Sequence, residues 1–207
     1  MEYVIPKDIP LPFPAPAWLL VTILLVTFAA HILFVALMVG GSITVLVTEM
    51  MGLRRRDWDK VSRAVAHTIT VNKSLAVVLG VGPLLAINVY YTVQFYAANA
   101  LTGHVWLLIV PLVILAFLIT YAHEYSWDRL QNHKVLHISM AAVATALFLF
   151  IPLIFLSNIN LMLYPEHWRE VTGFFDALVL PNVLPRYLHF MSATIALTSL
   201  FLSLIHI

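Results

Sequence analysis

The sequence contains no cysteine and few charges, and each shortage excludes something. Without cysteine these 207 residues hold no disulfide, no iron–sulfur cluster and no thioether-attached haem. Charged residues make up 10% of the chain, far below the roughly one quarter usual in soluble domains. The formal net charge of +1 argues against a nucleic-acid partner. A secretory signal is missing too. MEYVIPKDIPLPFPAP has no basic n-region and no small-residue cleavage site, and its prolines keep it extended. The first helix after it is therefore expected to stay as a membrane anchor. What is abundant is apolar: 62% of the residues are hydrophobic, and nine histidines are the strong metal ligands that remain.

Five long apolar segments follow one another. They run from about Ala17 to Met51, from Ala64 to Ala97, from His104 to Ser126, from Val135 to Met162, and from near Arg186 to the end. Each reaches the roughly 20 residues that cross a bilayer core. The pattern predicts an all-α, polytopic transmembrane helix bundle of about five helices, without internal repeats. Lysine and arginine set the orientation. The loop LRRRDWDK carries Arg54, Arg55, Arg56 and Lys60, with Arg63 just beyond, and WDRLQNHK adds Arg129 and Lys134. The opposite side has Lys7, Arg169 and Arg186. By the positive-inside rule the basic loops are cytoplasmic and the N-terminus lies outside, as in a bacterial-type inner membrane.

Depth singles out two histidines. His31 lies roughly 34 Å of helix away from Arg54, near the outer edge of the core. His189 follows Pro185 and Arg186 at the outer entry of the fifth segment, so both are expected at similar depth. A neutral imidazole in lipid can hydrogen-bond a neighbouring helix, relay protons, or ligate a metal or haem iron. Two at matched depth favour a ligand role. Zinc wants three or four converging ligands, and no HxxxH or HExxH pattern lies at either residue. Haem needs one or two axial side chains and a flat apolar slot. Thr27, Ala29, Ala30 and Val35 around His31, and Ser192 and Ala193 beyond His189, would leave room for a macrocycle or for another helix.

The remaining polar residues read differently. His67, His123, His133 and His137 fall at the cytoplasmic ends, and His104 and His167 in the outer loops. His133 and His137, four apart, read as solvated interface groups rather than a ligand pair, and His123 and Glu124 read as interfacial too. Lys73 stands roughly 12 Å inside the second segment. An ammonium there is costly, so it is expected to meet a carboxylate or a haem propionate, with snorkelling as the alternative. VYYTVQFY, residues 89 to 96, reads as an outer aromatic belt.

Several stretches together resemble one family, subunit I of the cytochrome bd quinol oxidases and bd-like proteins. HILFVALMVGG is similar to its first helix, and VNKSLAVVLGVG to its second, at Asn72 and Gly80. SWDRL followed by KVLH resembles the end of its third helix and the start of its fourth. LSNINLMLYP is similar to the outer end of the fourth, and NVLPRYLHFMSA to the fifth. The resemblance implies that His31 is an axial ligand of one of the paired haems and His189 a ligand of low-spin haem b. Lys73 would face a propionate. The second haem would be haem d or haem b. Quinol, membrane lipid and a second membrane subunit or cytochrome are the implied partners. His137 matches a fourth-helix histidine to which no ligand role is assigned.

Two departures shape the expected function. The third segment, LLIVPLVILAFLITYA, has no carboxylate where the family uses acids for its haem site and proton path, and Leu84 stands near the position of a second-helix acid. The expectation is therefore an electron-transfer subunit that passes electrons from quinol to a partner haem. A true bd-type quinol:oxygen oxidoreductase and a haem-free transporter or scaffold are the alternatives. In addition, the family's methionine ligand, quinol loop and glutamate ligand lie on later helices. The final LSLIHI matches one reading frame of a transposase adapter used in sequencing libraries. Residues 1–201 are thus read as the N-terminal part of the haem-binding domain, and residues 202–207 as a non-native tail.

Overall fold

The computed structural model describes residues 12–205, leaving aside the side chains of residues 71–73. Helices dominate, with no strand among the described residues. They are α1 (Ala17–Gly52), α2 (Arg56–Tyr90), α3 (Thr92–Leu107), α4 (Ile109–Tyr125), α5 (Lys134–Leu163), the short α6 (Phe174–Leu178) and α7 (Val183–Leu204). Four spans are long and apolar enough to cross a membrane: α1, α3 with α4, α5 with its preceding 3₁₀ turn, and α7. Counting α2 as one broken span makes five. The expected all-α membrane bundle is what the chain forms. At about 1.5 Å per residue, α1 is about 54 Å long and overruns a hydrocarbon core of roughly 30 Å.

Hydroxyl side chains in these apolar helices satisfy themselves locally. Thr44 Oγ1 donates to the Gly40 carbonyl at 2.8 Å, Thr120 to Ala116 at 2.8 Å and Ser157 to Leu153 at 2.9 Å. Such four-residue back-bonds remove the cost of an unmatched hydroxyl where no water is at hand.

The segment boundaries differ from expectation in one region. The second and third segments do not divide between Ala97 and His104. The chain leaves helical geometry at Tyr91 (φ −119°, ψ 39°) and again at Gly103 (φ 54°, ψ −125°). Gly103 takes a positive φ that a side chain would strain, and His104 continues the helix beyond that kink instead of lying in a loop. Tyr91 gives no such signal, because hydrogen bonds run on through it, from Tyr91 to Ile87 and from Phe95 to Tyr91. The proposed aromatic belt also divides. Phe95 is buried against Trp106, edge to face at 5.5 Å, while Tyr96 is exposed.

The chain forms two compact units. One takes in the described residues up to His31, with Val77–Ile109 and Pro152–Leu188. Its core is Phe95, Ala98, Leu161, Met162, Val171 and Ala177. Asn158 donates to Asn99 at 2.5 Å, Asn160 to the Pro181 carbonyl at 3.1 Å, and Trp168 Nε1 to the Leu161 carbonyl at 2.9 Å. The motif LSNINLMLYP thus ties the end of α5 to the segments around it.

The other unit comprises Ile32–Ala76, Val110–Ile151 and the described residues from His189 on. Here glycines bring helices close, as small residues do in membranes. A methyl on Gly40 would lie 2.2 Å from Thr198 Oγ1 and 2.9 Å from the Thr194 main-chain oxygen of α7. One on Gly41 would lie 2.3 Å from Ile69 of α2. Across these contacts Thr198 donates to the Ala36 carbonyl at 3.1 Å, Ser62 to Val45 at 3.0 Å and Thr145 to Ser42 at 3.0 Å. Three neighbouring helices therefore hydrogen-bond the backbone of α1.

Candidate functional site

The most concentrated polar chemistry lies where three helix ends of the second unit meet. Glu49 stands in the last turn of α1, a position where the partial negative charge of the helix end disfavours a carboxylate. Lys134 opens the first turn of α5, where a cation is equally out of place, and His137 stands in the same turn. Each misplacement offsets the other. His137 Nδ1 contacts Glu49 Oε1, and Lys134 Nζ stands 3.9 Å from that same oxygen while donating to Asp59 at 2.5 Å.

His123, near the end of α4, completes the group with Nε2 at 2.9 Å from Glu49 Oε2. Its ring stacks on His137 with centroids 3.9 Å apart. Trp127 packs edge-on against both imidazoles, at 5.3 Å and 4.7 Å. Glu49 and His137 are 0% exposed and His123 is 3% exposed, so water does not solvate them. His123 and His137 are therefore not the solvated interface groups expected from the sequence. Nor does His137 pair with His133, which is exposed on a 3₁₀ turn. Among the described residues, this is the group whose His, Cys, Asp or Glu ligand atoms converge.

The rim of the cluster is solvated. Arg63 makes a bidentate pair with Asp128 at 2.9 Å and 2.8 Å, and His67 Nδ1 meets Glu124 at 2.8 Å. The SWDRL motif thus supplies a buried Trp127 and an exposed Asp128 that fastens the turn to α2.

The residues singled out as haem ligands lie elsewhere. His31 belongs to the first unit, half-buried, with its ring over Gly80 of α2. A methyl at Gly80 would come within 2.8 Å of His31 Cε1 and 3.1 Å of Nδ1. One turn earlier on α1, Thr27 makes the same kind of contact with Gly82. His189 is exposed on α7, in the second unit. No cluster of His, Asp or Glu ligands includes His31 or His189 among the described residues. The Lys73 side chain lies outside the described residues.

Comparison with family models, with characterised proteins and with solved structures returned no match.

Proposed function

We propose that the chain is a multi-pass membrane electron-transfer subunit that holds haem b and passes electrons from quinol to a partner haem. The ordered resemblance along five apolar segments supports this reading, with His31 and His189 at the positions of bd-type ligands. The observation that carries it furthest is the seat of His31. An axial ligand must present its ring in a fixed orientation, and Gly80 leaves the room that the His31 ring occupies, where any side chain would collide with it. His189 is exposed on its helix and so open to a flat ring. Iron-bound haem would supply one-electron chemistry at these residues. Lys73 is assigned to a propionate on the same reading. The subunit is placed in a bacterial-type cytoplasmic membrane with its N-terminus outside and a second membrane subunit or cytochrome as partner.

Electron transfer is preferred to oxygen reduction because α4 carries no carboxylate before Glu124. Reduced-minus-oxidised optical spectra of the full-length protein test the reading. A b-type band is expected in the wild type. His189→Ala is expected to abolish the low-spin component, and His31→Ala to remove a separate one. Quinol-driven oxygen uptake is expected to be absent. A folded but colourless wild type would overturn the assignment and favour a haem-free transporter or scaffold.

A further inference from the structure

Two acceptors face each other in the Glu49 cluster. Nε2 of His137 must carry the ring hydrogen, because its partner at 2.8 Å is the main-chain oxygen of His123, which can only accept. In the neutral ring this leaves Nδ1 with a lone pair, directed at Oε1 of Glu49. The carboxylate oxygen is an acceptor as well, so a cation must lie between the two. A proton would serve that one pair. The second carboxylate oxygen turns to Nε2 of His123, and the feature that suits a metal ion is convergence: one ligand atom from each of the three residues lies within 4.8 Å of the others. Ligands held at about 2.0–2.1 Å around a tetrahedral ion stand about 3.4 Å apart. With all three ligand atoms within 4.8 Å of one another, the set is close to that size.

We propose that Glu49, His123 and His137 bind a divalent transition-metal ion of the zinc class. His137 Nδ1, His123 Nε2 and the Glu49 carboxylate are the ligands. Two imidazoles and one carboxylate suit such an ion better than magnesium or calcium, which prefer all-oxygen shells. The contact from His137 Nε2–H to the His123 carbonyl is the outer-sphere bond that orients metal-bound histidines and fixes their tautomer. Asp59 neutralises Lys134, so the lysine does not leave a second net charge beside the ion. Lys134 and Asp59 are each 24% exposed at the side chain and provide a polar route from the surface to Glu49. The ion would clamp α1, α4 and α5 at one point.

Glu49→Gln is the discriminating variant. Its amide can donate to His137 Nδ1 and accept from His123 Nε2–H, so the fold is kept while the anionic ligand is lost. Full-length protein carrying no polyhistidine tag is stripped with chelator and titrated with Zn²⁺ and with Co²⁺. The expected wild-type result is one tightly held ion by metal analysis, a ligand-field absorption with Co²⁺ and a raised melting temperature. Glu49→Gln is expected to bind at least about 100-fold more weakly, since loss of even an outer-sphere partner costs roughly 10- to 100-fold. Haem content is read on the same samples, so a colourless protein that binds zinc separates this site from the haem reading. A wild type that takes up neither ion, or a Glu49→Gln protein that binds them equally well, would overturn the proposal and leave the cluster as a proton-sharing polar contact.

Discussion

Nε2 of His137 lies 2.8 Å from the main-chain oxygen of His123, and this bond decides what the other ring nitrogen can do. In the neutral ring Nδ1 faces Glu49 as an acceptor, and either a proton or a metal ion between them satisfies the pair. Without either, an isosteric amide does the same work. Glu49→Gln is therefore expected to melt within about 1 kcal/mol of the wild type in metal-free buffer. Glu49→Ala leaves two buried imidazole nitrogens without partners and is expected to cost about 2–4 kcal/mol. Reversible unfolding in mixed detergent micelles measures both.

The close approach of α1 and α7 at Gly40 is backbone against backbone, so it has little room to give. Gly40→Ala would place its methyl 2.9 Å from the Thr194 main-chain oxygen. It is expected to push the helices apart, break the Thr198 bond to the Ala36 carbonyl and destabilise the protein by about 1–3 kcal/mol. The same unfolding assay reads it. At Gly173, where a methyl meets nothing within 4 Å, alanine is expected to be neutral within about 0.5 kcal/mol.

Gly80 differs from Gly40 because a methyl there meets the far end of a side chain. Gly80→Ala is expected to keep the fold and turn the His31 imidazole away. If His31 holds haem, its spectral component shifts or disappears in Gly80→Ala while the component assigned to His189 persists. An unchanged spectrum would show that His31 is not an axial ligand seated on Gly80.

The absence of cysteine makes orientation easy to measure. Gln131 and Glu170 are both exposed, on loops at opposite ends of α5. In intact bacterial cells a membrane-impermeant maleimide is expected to label Glu170→Cys and to spare Gln131→Cys until the membrane is opened. The reverse pattern would contradict the orientation read from Arg54, Arg55, Arg56 and Lys134.

The spans were legible because a bilayer demands length and apolarity, and both are written in single residues. α1 and α5 begin and end within a residue or so of the segments read from the sequence. Tyr91 was not legible, since neither proline nor glycine marks it. The Glu49 cluster escaped for a different reason. Its members come from three helices, so no local spacing such as HxxxH contains them, and each alone resembles an interfacial group. His31 and His189 have no zinc-ligand spacing beside them, and the side chains that converge are those of His123, His137 and Glu49. One signal was available: Glu49 is a carboxylate in the last turn of an otherwise uncharged helix, where it needs a partner from elsewhere.

Haem content of the full-length protein tests whether this bundle carries haem. The protein is purified from a haem-sufficient bacterial host and assayed as its pyridine haemochrome. A protohaem spectrum at one or more haems per chain is expected. A preparation that unfolds cooperatively yet contains no haem would contradict it.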